Sequence, residues 1–558
     1  MGLSISARLA ATRRKLSGAS LVGDGRLAAL LLFCALFLPF ILRHHRYPMP
    51  AFYQEWLAIF FALAASILVA AKFRSERFEL PLAALIPLAL LPSVLTHLAV
   101  GDKLIAHGPL LYLISIGSAA LLMTIGRKLG SIREAVSLAD VMAAAFVTGA
   151  LASCVASWHW RYQTGVFGSV SWGLEGGWIA QRNQNALHLW LGVLGISHLV
   201  LSRKVSWFHF VFGLGILVEA AMQTQSRSVY LYAACGLMLG IWAAAKSAAP
   251  DARRSLLLIG ISPVMFLVAI QGMRLIPDRQ SGGDSRLSTG AIQRYAPATV
   301  AQDPRLGLWL AAAQITQARP WIGTGPGSYV RESWVLADRL PSTAPTTVPA
   351  THAHNLFLQI GAELGAPTAL ALAGLMGAWL MFALRQTDWQ RKWLHVAMPL
   401  AILTHNQVEF SLWYLYFLVP TALAMGAATN RSVGKGVPAA AVMIVAVLGL
   451  GLAARLDHDY QVLEQAVAQS RSGRANAGQL MAAADHPIFG AWASTEIARQ
   501  PASAGIVPQQ QDWHARRALF AIPLAKAAVV RHAEILERSG KSAEAATERR
   551  VARRVFGN

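Results

Sequence analysis

Five short stretches of this chain carry side chains able to grip an anion or move a proton. His354 and Asn355 open the run HNLFLQIGAEL behind a Pro-rich polar segment, with His352 two residues earlier. Arg227 lies in QTQSRSVYL, Arg305 in RLGLWLAAAQI, and Gln181, Arg182 and Asn183 in IAQRNQNAL. His405 and Glu409 belong to LTHNQVEFSLWY. Guanidinium groups present planar forks that match phosphate oxygens. They also disfavour the imidazolium form of a neighbouring histidine, and a neutral imidazole is what a general base at pH 7 requires. With His354 as base and Arg227 and Arg305 as anion ligands, the set suits a strongly negative substrate and a hydroxyl to be activated.

Each stretch has a plainer reading. Arg182 and Arg227 also fit interfacial arginines whose stems lie along apolar surface, and His354 a satisfied core histidine. The H-x-H spacing of His352 and His354 invites a metal. On a helix, however, i and i+2 point to different faces, and neither a cysteine nor a neighbouring carboxylate completes a ligand set, so no metal or other cofactor is expected. GTGPGSY (323–329) resembles a phosphate-cradling loop, but no strand precedes it; a tight turn after Pro320 is the competing reading.

The elements that must position these groups are apolar. The chain has 558 residues, 55% hydrophobic and 14% charged. Several of its uninterrupted apolar runs reach the roughly 17–25 residues that cross a bilayer, so the fold expected is an all-α polytopic membrane protein. Spans are expected near 27–42, 52–71, 79–99, 109–125, 138–158, 184–201, 206–222, 228–245, 254–271, 355–383, 394–406, 411–428 and 437–454, about 12–13 in all. The stretch 394–428 also suits a hairpin or re-entrant segment. This gives an N-terminal membrane part (1–271), a polar loop (272–353), a C-terminal membrane part (354–454) and a soluble tail (455–558). Cys34, Cys154 and Cys235 all fall inside apolar runs, which argues against a disulfide framework.

The net charge of +21 reads as membrane orientation and contact with acidic lipid rather than nucleic-acid binding. With a cytoplasmic N-terminus, the inside loops are KFRSER, GRKLGSIR, SRK, ARR, RQTDWQRK and NRSVGK, nearly all basic. The opposite side then receives 159–183, the loop with SGGDS (281–285) and PSTAPTTVP (341–349), the tail, and all five polar clusters. Ionisable groups at membrane depth are costly and mark functional paths. In the tail, WHARRALFAIPLAKAAVVRHAEILERSG and KSAEAATERRVARRVF read as a helical pair separated at Gly540, tetratricopeptide-like in form.

SRSVYL (226–231), RLGLWLAAAQI…RPWIGTGPGSY, HAHNLFLQIGAELG and HNQVEFSLWYLYFLVP together resemble the O-antigen ligase and O-linked oligosaccharyltransferase superfamily over roughly residues 170–430. VEFSLWYLYFL, QRNQ and the long tail look more like the bacterial protein O-oligosaccharyltransferases that glycosylate pilins. One element departs: HNQVEFSLW stands where a small residue and often a proline is expected. The resemblance implies a glycosyltransferase-C-like bundle in the bacterial inner membrane, with its active site and tail periplasmic. It implies an undecaprenyl-diphosphate-linked oligosaccharide donor and a periplasmic or pilin-like protein acceptor. By position, the essential histidine falls on His354 and the donor-binding arginines on Arg227 and Arg305. Gln181, Arg182, Asn183, Asn355, His405 and Glu409 are supporting or acceptor-channel candidates. Ligation to lipid A-core and glycan polymerisation remain alternatives; a transporter is the reading from another class, disfavoured because the clusters lie on one side.

Overall fold

The computed structural model describes residues 25–132, 137–164, 177–179, 181–275, 303–337, 350–385, 388–474, 477–500, 508–521 and 524–557. Most of 159–183, SGGDS (281–285) and PSTAPTTVP (341–349) lie outside these residues. Within them, every expected span has a helical counterpart. The first half supplies α1 (Arg26–Ile41), α2 (Phe52–Lys72), a broken segment ending in α3 (Leu91–Val100), α4 (His107–Ser131) and α5 (Leu138–Thr164). It continues with α6 (Arg182–Leu201), α7 (Trp207–Gln223), α8 (Ser228–Lys246) and α9 (Pro250–Leu275). Among its described residues the polar loop carries α10 (Pro304–Ala318) and α11 (Tyr329–Leu336). Then come α12 (Leu356–Leu364), α13 (Ala366–Leu384), α14 (Trp389–His405), α15 (Leu415–Ala428) and α16 (Ala439–Arg471). Among the described residues, nine helices are long and apolar enough to cross a membrane, and α1, α7 and α15 are shorter apolar ones.

Three spans differ from their sequence outline. The run 79–99 begins not as a helix but as a strand, β1 (Arg77–Pro81), which pairs antiparallel with β2 (Ser432–Pro438). The run 355–383 is two helices, broken at Gly365, whose φ is +90°. A Cβ there would overlap the Trp321 carbonyl; the loop backbone presses where a side chain would stand, and glycine alone tolerates both conditions. The last span runs past 454 to Arg471, so membrane part and tail share one rod.

The core is packed helix on helix. α4 and α15 approach until Gly126 and Gly426 each sit against the other helix's backbone, at Leu423 and Met123, the small-residue contact that membrane helices favour. α6 is buried almost all round, as expected of a central helix. By chain direction, one end of the bundle gathers the starts of α6, α8 and α12 and the end of α14. The opposite end gathers the strand pair and the basic turns, with Arg127 paired to Glu79 at 2.8 Å and Lys128 to Glu76.

The tail adds α17 (Ala477–Ala484), α18 (Gly490–Arg499), α19 (Pro508–Ala518), α20 (Lys526–Arg538) and α21 (Ser542–Phe556). α20 and α21 form a hairpin with Gly540 in the turn, but the run from Trp513 expected as its first helix is split, its start belonging to α19. The tail's apolar faces turn inward. Tyr460, Leu463, Phe489 and Trp492 pack with Phe52, Tyr53 and Leu111 at the ends of α2 and α4. Val330 and Trp334 of α11 are enclosed by Leu519, Val529, Ile535 and Val551.

Candidate active site

Helix termini set most of the polar groups in place. Asp303 caps α10, its Oδ1 accepting the Arg305 N–H at 3.0 Å, and Pro304 fills the first helical position, where a missing N–H costs nothing. Arg227 occupies the short turn between α7 and α8. Gln181 caps α6 through the Gln184 N–H at 2.6 Å, which leaves Asn183 in the first turn. Asn355 caps α12, accepting from the Phe357 and Leu358 N–H groups at 3.1 Å each. Glu409 sits in the connection between α14 and α15, only 3% exposed.

These termini converge on two carboxylates. Glu409 Oε1 accepts from Arg305 Nη2 at 2.5 Å and from Asn183 Nδ2 at 2.6 Å, and its Oε2 lies 3.8 Å from His354 Nε2. Arg305 Nε donates to the Val408 carbonyl at 2.7 Å, which fixes the plane of its fork. Asp303 Oδ2 pairs with Arg227 and lies 3.5 Å from Arg305 Nη1. One carboxylate therefore lets two guanidinium groups stand side by side, where their mutual repulsion would otherwise part them. Burial works against the Asp303 charge, but the Arg305 N–H and the Arg227 guanidinium outweigh it and hold the carboxyl below its usual range.

His354 adopts φ +53°, a left-handed conformation uncommon for a non-glycine residue. The strained backbone sets the ring with Nδ1 at 3.1 Å from the His352 carbonyl. A carbonyl only accepts, so this hydrogen bond assigns the proton to Nδ1 and leaves the Nε2 lone pair facing the carboxylate side. The Phe410 ring stands edge-on to His354 at 4.9 Å and lies flat against His352 at 4.4 Å. Burial lowers the His354 pKa; Glu409 opposes that and Arg305 adds to it. His352 is enclosed further, and burial brings it down to about 3. The result is a neutral imidazole, about a quarter exposed, beside two arginines of similar exposure. Such an arrangement can take a proton at Nε2 and hold an anion at the guanidinium forks.

The fold thus brings His354, Arg227, Arg305, Asn183 and Glu409 into one network. Gln181 and Asn355 serve mainly as helix caps, Asn355 also donating to the Gln407 carbonyl at 3.2 Å. Arg182 stands beside Asn183 at the start of α6. His405 is fully buried against the Tyr232 hydroxyl, 2.5 Å from Nδ1. Sequence reasoning names Glu409 as a supporting candidate that could orient an arginine but sees no carboxylate beside His352 and His354; the turn after α14 brings Glu409 to both Arg305 and His354. Sequence reasoning also passes over Asp303, although the run Asp-Pro-Arg before an apolar stretch is a helix-start signature. The glycine loop is a brace. Gly325 N–H donates to the Glu363 carbonyl at 2.9 Å and Thr324 N–H to the Ala362 carbonyl at 3.0 Å. The Glu363 carboxylate accepts from the Tyr329 N–H at 3.3 Å and from Tyr112 at 2.8 Å. The N–H groups of Thr324, Gly325 and Tyr329 thus point into α12, which carries His354 at its mouth.

Residues 212–373 match the family described as O-antigen ligase, a span that takes in Arg227, Arg305 and His354. Residues 393–558 match the family described as virulence factor membrane-bound polymerase, C-terminal, which takes in Glu409 and the tail. A general O-oligosaccharyltransferase of Acinetobacter baylyi is 25% identical over 296 residues, 51% of this chain and 49% of that protein. The chain spans about half the length of the curated relative it matches.

Proposed function

Because the chain belongs to the O-antigen ligase and O-oligosaccharyltransferase superfamily, we propose that it is a glycosyltransferase that moves a preassembled glycan from undecaprenyl diphosphate to a Ser or Thr hydroxyl of a periplasmic or pilin-like protein. The observation that carries this reading is the convergence of His354, Arg227 and Arg305 on Asp303 and Glu409 at one end of the helical bundle. The concentration of basic turns at the other end supports an inner-membrane protein with a cytoplasmic N-terminus and this site facing the periplasm.

In the reaction the donor enters from the outer leaflet, and Arg227 and Arg305 hold its diphosphate. His354 Nε2 takes the proton of the acceptor hydroxyl as that oxygen bonds to the anomeric carbon. The carbon–oxygen bond to the diphosphate breaks in the same step, its electron pair leaves with the diphosphate, and configuration inverts. Glu409 faces the nitrogen that becomes charged and stabilises the imidazolium. The arginines meet the charge growing on the leaving group, the kind of contribution whose loss costs about 10²–10³ in rate.

The test is reconstitution with undecaprenyl-diphosphate-glycan, offering a pilin-like protein and lipid A-core side by side. Glycan on the protein is expected, with His354→Ala slower by about 10²–10⁴. Transfer to lipid A-core alone keeps the donor and base but makes the chain a ligase, a second reading favoured by the description of the family matched over 212–373. Transfer to neither sinks both.

A further inference from the structure

A cavity of about 270 Å³ lies at the opposite end of the bundle from His354, between the C-terminal half of α13, the segment from the last residue of α15 to Arg431, and the turn at Leu82. One wall is apolar, with Leu375, Ala378, Trp379 and Phe382 along one helix face; Thr429 and Asn430 also line it, and its mouth carries Arg385 and Arg431. Both arginines are exposed and bracket the same ring. The Arg431 guanidinium carbon is 4.6 Å from the centre of Phe382 and that of Arg385 is 5.9 Å away.

The carboxylates of this region are engaged elsewhere. Glu79 pairs with Arg127, Glu76 with Lys128 and Asp388 with Arg391. Among the described residues, neither Arg385 nor Arg431 forms a salt bridge. The mouth is also fixed rather than frayed. The Arg431 carbonyl accepts the Leu82 N–H at 3.0 Å, Arg127 reaches the Asn430 carbonyl at 3.3 Å, and the buried Trp379 indole lies 3.4 Å from the Met425 carbonyl. A slot with one apolar wall, opening along membrane-spanning helices and ending in two cations without a carboxylate partner, matches one class of molecule, in which a hydrocarbon chain leads to an anionic headgroup.

We propose that this slot binds an anionic glycerophospholipid, one acyl chain lying along Leu375, Ala378 and Trp379 and the phosphate held between Arg385 and Arg431. The site is separate from the transfer chemistry and lies in the other leaflet. Charge near the membrane surface is worth about 1 kcal/mol per basic residue, so two arginines acting together give about a thirtyfold preference over a zwitterionic lipid.

The experiment measures binding of phosphatidylglycerol and phosphatidylcholine to the purified full-length chain by native mass spectrometry, with thermal stability in each lipid as a second readout. The wild type is expected to prefer phosphatidylglycerol about thirtyfold. Arg385→Gln with Arg431→Gln should abolish the preference, the paired Lys substitutions should retain most of it, and Ala378→Trp should block binding with both charges intact. Circular dichroism and gel filtration establish that each variant is folded. Arg391→Gln, on the same face but outside the slot, should leave binding unchanged; an equal loss there means diffuse charge attraction and overturns the proposal. So does retained binding in folded Ala378→Trp, or equal stabilisation by inorganic phosphate, which would make this an anion site with no use for an acyl chain.

Discussion

In its proposed role as base, His354 works only while it is neutral, and its surroundings set the pH range in which that holds. Burial and Arg305 depress its pKa below the ordinary 6.5, against the pull of Glu409. A depressed pKa keeps the base form at pH 7 and loses it only as pH falls below 6.5, so the acidic limb of kcat/KM should lie below that value. Glu409→Gln removes the one carboxylate that raises this pKa most and should move the limb to lower pH; Arg305→Gln should move it upward. A pH–rate profile of the three proteins tests both directions, and unmoved limbs would take His354 out of the base role. At this scale the sequence was readable in part. Histidine and arginine at the mouths of apolar runs are costly enough to stand out singly. The pairs that join them, Arg227 to Asp303 and Arg305 to Glu409, span 76 and 104 residues, and no local pattern encodes a meeting across that distance.

Apolar runs announce helices even where they are short, as at α1, α7 and α15, and each of the thirteen expected runs has a helical counterpart. The interruptions do not announce themselves. The run 355–383 is predominantly apolar on both sides of Gly365, and at the break the loop at Trp321 lies against it, a tertiary contact. Nor does RFELP carry a strand signal strong enough to outweigh the apolar run it opens. Gly365→Ala meets both a φ of +90° and the Trp321 carbonyl. The backbone term alone should cost about 1–3 kcal/mol, seen as a lower Tm in detergent. Because the break aims α12 and hence His354, transfer activity should fall more steeply than stability.

At the scale of the whole molecule the tail reads from sequence either as a docking module for a protein acceptor or as a cap on the fold. Its apolar faces are filled by α11 of the same chain, which favours the cap. Glu548 is the clasp. Burial opposes its charge, but His532, Arg331 and the Trp334 indole N–H bring the carboxyl down to about 2. A carboxyl depressed in the folded state stabilises fully above its unfolded value of about 4.3, and that stabilisation is lost as pH falls toward 2. Glu548→Ala leaves Arg331 and His532 without their carboxylate, and breaking such a buried pair costs about 3–5 kcal/mol. α11 continues the brace that holds α12, so removing residues 526–558 should slow transfer to a short peptide and to a folded acceptor equally. Loss confined to the folded acceptor would restore the docking role.

The strand pair at the far end has a bearing on how the molecule comes into being. Arg77 meets Pro438 and Pro81 meets Ser432, so β1 emerges early in synthesis and waits for a partner from near the last span. Until that partner arrives, α4 also lacks the α15 surface against which Gly126 packs. The helices before α15 are therefore inserted as an open set, and the bundle locks only once residues 415–438 have been made. Premature termination anywhere before residue 432 leaves an unlatched bundle exposed to membrane quality control.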